Sequence, residues 1–336
     1  MAALVKRGLH VAPFKVGPDF IDPGHHTRVT GIISRNLDGW MLSQEDNLQC
    51  YYHHTRKADI AVVEGVMGVF DGYDGKSEAG STAQMAKWLH LPLILVVDAR
   101  SMARSAAALV SGFEKFDRNL DYAGVLFNHV GSGRHLQYLK EALEGHVDMP
   151  CLGGVKRDQD VSIPERHLGL VTPQDYILSD TSIARLAALI EGSIDLDRFL
   201  ENLIASESHD SPTIRRTQIQ GNKPKIGVAR DNAFCFYYQD NLDLMASCGA
   251  ELVYFSPIQD PIPPPDIDGL YLGGGYPELF AQKLAGNITM REAIRTHSQA
   301  GMPIYGECGG FMYLSRQLVD IDGNIYPCLL YTSPSP

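Results

Sequence analysis

The sequence predicts an α/β protein in two parts: a doubly wound, mostly parallel sheet, then a second and smaller α/β unit. Three observations carry this reading. Short apolar runs such as ADIAVVEG (58–65), LPLILVVDA (91–99) and KIGVARD (225–231) have the length of strands buried on both faces. Helical stretches separate them, as crossovers between parallel strands require. The stretch 207–223, ESHDSPTIRRTQIQGNK, has no apolar period and divides two such series.

Taken in order, MAALVKRG (1–8) reads as the last turns of a helix with Gly8 as its C-cap, and LHVAPFKV follows as a strand. A polar loop then carries GPDFIDPGHH, before a helix near 42–56 and the strand at 58–65. STAQMAKWL is a helix with a Ser-x-x-Gln start. LPLILVVDA and YAGVLFNHV are strands on either side of the helix SMARSAAALVSGF, with Asp98 and Ser101 expected to cap that helix. A helix near 135–145 and the strand CLGGVKR close the first series, and 176–206 is helical. The second series runs through KIGVARD, a helix over FCFYYQDNLDLMASCG (234–249), the strand AELVYFSPI, a proline-rich turn and the strand LYLGGG. A helix near 290–300, the strand MPIYGEC and a helix from GGFMYL complete it. The expected division is therefore 1–206, a linker at 207–223, and 224–336. Both ends read as truncated: the chain starts inside a helix, and PCLLYTSPSP has no core pattern.

Composition narrows the function. The 29 Lys and Arg against 40 Asp and Glu leave a formal charge of −11, which excludes a general polyanion binder and argues against nucleic acid. No run approaches the ~18–20 apolar residues that a bilayer span needs. The N-terminus has no secretory signal pattern, so a cytoplasmic location is expected. The six cysteines are scattered with no CxxC pair, against both a disulfide framework and a zinc site.

Cys308 is the sharpest chemical signal. MPIYGECGGFMYL places it between a strand and a helix, among Gly306, Gly309 and Gly310. A nucleophile on such a turn stands above the sheet and faces a helix N-terminus, where an anion is favoured. The amide of Gly309 is placed for an oxyanion. YLGGGYPE (271–278) offers Gly274 and Gly275 as the other half of that hole. In the first unit Lys15 ends a strand, where its ammonium would offset phosphoryl charge. Asp19 and Glu64 also fall at strand C-termini, the ligand edge of such sheets, where paired carboxylates suit Mg²⁺. The pairs His25–His26 and His53–His54 are read as loop and surface residues respectively, because neighbouring side chains diverge and no third ligand is evident.

The two glycine-flanked segments of the second unit resemble class I glutamine amidotransferase domains. With FKVGPDFIDPGHH (14–26) and EGVMGVFDG (64–72), the chain is similar to the cobyrinate a,c-diamide synthase family over residues 1–328. Nickel-sirohydrochlorin a,c-diamide synthases share these motifs, and cobyrate synthases are more distant. The resemblance implies ATP-dependent phosphorylation of a corrin carboxylate, displaced by ammonia from glutamine hydrolysed at Cys308. It places Asp19, Phe20 and Ile21 at the corrin or phosphointermediate site, and Asn128 at the adenine. Phe20 stands where many members have tyrosine, so that hydroxyl is lost. The implied partners are a corrinoid, glutamine and ATP with Mg²⁺, and a homodimer is left open. No G-x-x-x-x-G-K-[ST] phosphate loop occurs, and no histidine follows Cys308. The resemblance places that loop before Met1 and the catalytic histidine after the last residue, so the chain alone is expected to be inactive.

Overall fold

Val11–Val16 forms β1, and all six of its residues are buried. Parallel partners lie on both sides, β2 (Arg35–Leu37) and β3 (Ile60–Glu64), which explains an almost wholly apolar strand. The structure, a computed structural model, describes residues 1–158, 165–166, 169–170, 178–201, 203 and 223–329. Two compact units divide the chain, Met1–Pro212 and Thr213–Pro336. The linker expected at 207–223 lies outside the described residues except for its last position, as does the terminal TSPSP.

In the first unit a second parallel sheet has the order β4 (Leu93–Asp98), β5 (Tyr122–Val130), β6 (Cys151–Lys156). Among the described residues β3 and β4 each leave one edge unpaired. The strand expected to be fully buried at 58–65 is therefore only partly covered. Ile94 and Val96 of β4 are 40% and 58% exposed. A two-residue pair, β7 (Glu165–Arg166) with β8 (Gly169–Leu170), is antiparallel.

The helices of this unit are α1 (Ala2–Lys6), α2 (Asp22–Thr30), α3 (Gln44–Thr55), α4 (Thr82–Leu89), α5 (Ser105–Phe116), α6 (Gly133–Leu143), α7 (Asp180–Glu191) and α8 (Leu196–Glu201). Side-chain caps begin several: Ser43 with Asp46 in a capping box for α3, Ser81 for α4, Ser132 for α6 and Ser179 for α7. Two expectations fail here. The polar loop around 22–30 is the helix α2, with Pro23 in its first turn and Gly31 in the left-handed conformation at its end. Asp98 and Ser101 do not cap α5, which starts four residues later behind Arg104. Asp98 instead pairs with Arg100 and His129.

The second unit is a four-stranded parallel sheet, ordered β10 (Glu251–Phe255), β9 (Lys225–Ala229), β11 (Gly269–Leu272), β12 (Ile304–Gly306). α9 (Gln239–Ser247), a 3₁₀ turn at Pro277–Phe280, α10 (Ala281–Gly286), α11 (Ile288–Gln299) and α12 (Gly309–Leu314) accompany it, with the hairpin β13 (Gln317–Val319) and β14 (Ile325–Pro327). Its core includes Phe234, Leu272, Leu284, Met290, Ile294 and Tyr313. The helix expected over 234–249 begins only at Gln239. Burial of Phe234 and a bridge between Phe236 and Gly274 hold the preceding residues out of it.

Candidate active sites

β11 and β12 run parallel with Leu272 opposite Gly306, so the loops that leave them emerge side by side. Two bonds stitch them: the Glu307 amide donates to the Leu272 carbonyl at 3.1 Å, and the Gly310 amide to Gly273 at 2.8 Å. Cys308 occupies the turn as an exposed thiol at the start of α12, with φ +48° and ψ −115°. For a non-glycine residue this is strained backbone, as on a nucleophile elbow. Glycine at 310 is required by space, because a Cβ there would stand 2.0 Å from the Leu272 carbonyl oxygen. Gly274 lies against the nucleophile; a Cβ on it would stand 3.5 Å from Cys308 Sγ.

The Gly274 amide donates to the Phe236 carbonyl at 3.3 Å, because the loop closes an antiparallel bridge there, so it is engaged. Gly275 and Gly309 adjoin each other, with the Cβ position of Gly309 3.0 Å from the Gly275 nitrogen. Glu307 points elsewhere: its carboxylate accepts from the Tyr271 hydroxyl at 2.5 Å and the Tyr305 hydroxyl at 3.1 Å. Burial, then Glu307 itself, holds Tyr271 far above the ordinary tyrosine range, so it stays a donor.

In the first unit, strand register sets the geometry. Lys15 lies opposite Glu64 on β3 and opposite Asn36 on β2. The buried Lys15 ammonium is 2.6 Å from Asp22, 3.3 Å from Glu64 and 4.0 Å from Asp19, and it donates to the Gly65 carbonyl at 3.1 Å. In this structure its charged partners are carboxylates, whereas the sequence reading set its ammonium against phosphoryl charge. Asp19 accepts the Ile21 and Asp22 amides on one oxygen, at 2.7 and 3.1 Å, and so also shapes the entry to α2. Ile21 is the N-cap residue of that helix, and Phe20 beside it is half-buried.

Two members of this cluster, Asp22 and His26, were missed from the sequence because they depend on α2. His26 Nε2 bonds Glu64, and its Nδ1 is 3.3 Å from Ser34 Oγ. Burial would raise Glu64, but the His26 bond and then the Lys15 charge outweigh it and hold the carboxyl below its ordinary range. Asp22 is likewise lowered, burial being outweighed by the Lys15 bond. Asp19 moves up, through burial and then the neighbouring Asp22 charge. His25 and His26 thus form part of a buried helix face and not of a loop. Asn128 lies within β5, its side-chain oxygen accepting the next amide, that of His129, at 2.9 Å.

The fold and the two sites define a nucleotide-binding α/β unit joined to a glutamine amidotransferase unit. Residues 1–171 match the CobQ/CobB/MinD/ParA nucleotide binding domain, and residues 225–329 match the CobB/CobQ-like glutamine amidotransferase domain. The chain belongs to the cobyrinate a,c-diamide synthase family. It is 47% identical over 331 residues to a relative of that name from Methanosarcina acetivorans, covering 95% of this chain and 66% of the relative. The Methanosarcina barkeri relative is also 47% identical, with 95% and 67% covered. The Dehalococcoides mccartyi strain CBDB1 relative is 45% identical, with 97% and 71% covered. The chain thus spans about two thirds of the length of these relatives.

Proposed function

We propose that this chain carries synthetase and glutaminase residues for ATP- and glutamine-dependent amidation of the a and c side-chain carboxylates of cobyrinate or hydrogenobyrinate. The observation that carries the reading is the strained Cys308 turn beside the Gly275 and Gly309 amides, on one chain with the Lys15–Asp19–Asp22–Glu64 cluster. We place the reaction in the cytoplasm; among the described residues no helix is long and apolar enough to cross a membrane.

At the glutaminase site the Cys308 sulfur attacks the glutamine carboxamide, forming a C–S bond. The oxyanion that develops is stabilised by the Gly275 and Gly309 amides. Collapse breaks the C–N bond as the proton given up by the thiol passes to the nitrogen, so ammonia leaves, and water then hydrolyses the thioester to glutamate and restores the thiol. At the synthetase site the γ-phosphoryl of ATP passes to a corrin carboxylate oxygen, its bond to the β–γ bridging oxygen breaks, and ADP leaves. Ammonia attacks the acyl carbon and phosphate leaves.

Three carboxylates around one lysine leave the cluster with excess negative charge, a donor set that suits a hard divalent cation. Asp19 and Glu64 would hold Mg²⁺, which supplies charge neutralisation on the phosphates. Lys15 orients these carboxylates. Asn128 is the residue we assign to adenine.

The test is product analysis with the full-length protein, ATP, Mg²⁺ and glutamine. Conversion of two carboxylates of cobyrinate to amides is expected. Failure to amidate cobyrinate, hydrogenobyrinate or a nickel sirohydrochlorin would overturn the reading.

A further inference from the structure

Beyond the charged cluster, the same sheet edge exposes an ordered aromatic surface. Trp40 follows β2 and Tyr73 follows β3, so both loops leave the edge at which Lys15, Asp19 and Glu64 gather. The two rings are stacked, with centroids 3.6 Å apart and planes inclined by 10°. Yet Trp40 is 56% exposed and Tyr73 62%, with Met67 beyond β3 at 74%. Met41 and Leu42, next to Trp40, are also exposed.

The backbones beneath these rings are fixed. Asp38, buried, accepts the Trp40 and Met41 amides on one oxygen at 2.7 and 2.8 Å. The fully buried Asn47 bonds Asp38 in both directions, its Oδ1 taking the Asp38 amide and its Nδ2 reaching the carbonyl. The Tyr73 amide donates to Ala79 at 2.8 Å, and Trp40 Cβ closes on Gly80. Asn36, on β2, donates to the Gly17 and Asp19 carbonyls and so ties the Asp19 loop to the strand from which Trp40 emerges. A rigid apolar surface of this kind marks a binding site more often than bare solvent.

We propose that the Trp40–Tyr73 stack is the platform on which the substrate macrocycle lies, so that ring shape is selected here while the carboxylate chemistry is done at the Asp19–Glu64 cluster. This rests on the function proposed above. The occupant is a tetrapyrrole-derived ring: a broad, conjugated, apolar body with carboxylate arms at its rim. Aromatic faces match the body, and Trp40 and Tyr73 leave the same strand edge as the Asp19–Glu64 cluster, where the arms react. The division of labour assigns specificity to residues that touch no reacting atom.

The experiment is a titration of this chain with cobyrinate, read both by quenching of tryptophan emission and by the absorbance of the corrinoid itself. Trp40→Leu and Tyr73→Leu keep apolar bulk but lose the π-face. Each should weaken binding tenfold or more without lowering the melting temperature, and Trp40→Phe should restore binding to within about threefold of wild type. Uroporphyrin should compete, whereas citrate, a ring-free polycarboxylate, should not. Wild-type affinity in both leucine variants, or equal competition by citrate, would overturn the platform and leave the proposed function standing. Absence of cobyrinate binding to the wild-type chain would overturn the function itself.

Discussion

Lys15 and Glu64 are cross-strand partners whose charged ends meet at 3.3 Å on adjacent parallel strands. The pair lies at the C-terminal edge of its sheet, where Asp22 of α2 meets Lys15 and His26 of α2 bonds Glu64. Neither residue can be altered without changing the other's surroundings.

Glu64→Gln and Asp19→Asn in the full-length protein should therefore lose activity with ammonia as well as with glutamine, by about 10²-fold or more if each stabilises the phosphoryl-transfer charge. Steady-state rates with each nitrogen source check this. Loss confined to glutamine would remove both residues from the synthetase chemistry.

Cys308→Ser should behave oppositely. Glutamine-dependent amidation should fall to background, because a serine hydroxyl on this turn is a far weaker nucleophile than the thiol. Ammonia-dependent amidation should stay near wild type. In the 336-residue chain, a glutamine-like diazoketone should label Cys308 ahead of the other five cysteines, as peptide mass mapping would show.

The acid limb of stability should depend on Glu64 and Asp22. Their folded values are held below the ordinary 4.5 and 3.8, so their contribution is complete above those values and is lost as pH falls through the folded ones. Asp19, shifted upward, takes up its proton earlier than the unfolded chain and offsets part of that loss. Lys15 is raised above its ordinary 10.5, so its contribution survives to high pH and declines only above that value. Urea midpoints between about pH 3 and 7 should fall less steeply for Glu64→Gln than for wild type. Superimposable profiles would contradict the pairing.

ATP·Mg²⁺ should bind this chain weakly. The 336 residues contain no G-x-x-x-x-G-K-[ST] motif, the loop whose amides and lysine supply most of the grip on a triphosphate, and Lys15 is already committed to carboxylates. A dissociation constant at or above about 1 mM is expected, roughly 4 kcal/mol of binding or less. Calorimetry returning a micromolar value would show a phosphate site built from other groups.

Much of this arrangement is legible in the sequence because strand ends are. Lys15, Glu64 and Cys308 each close an apolar run, and parallel pairing brings such ends together without further information. The part that escapes the sequence depends on α2. The segment DPGHHTRVT lacks an apolar period because its buried residues are His25 and His26, and the partners of His26 lie 8 and 38 residues away. Pro23 in its first turn and the closing Gly31 were the available signals. The engagement of the Gly274 amide was equally hidden, since it depends on a carbonyl 38 residues back in a segment, FCFYY, whose residues look helical but bridge instead.

The backbone of Cys308 has a consequence for how this sequence drifts. Left-handed φ at a residue with a Cβ costs of order 1–3 kcal/mol, and glycine would remove most of it. A lineage freed from the need to hydrolyse glutamine would gain thermal resistance by losing the thiol, so Cys308→Gly should raise the melting temperature of the glutaminase unit while silencing it.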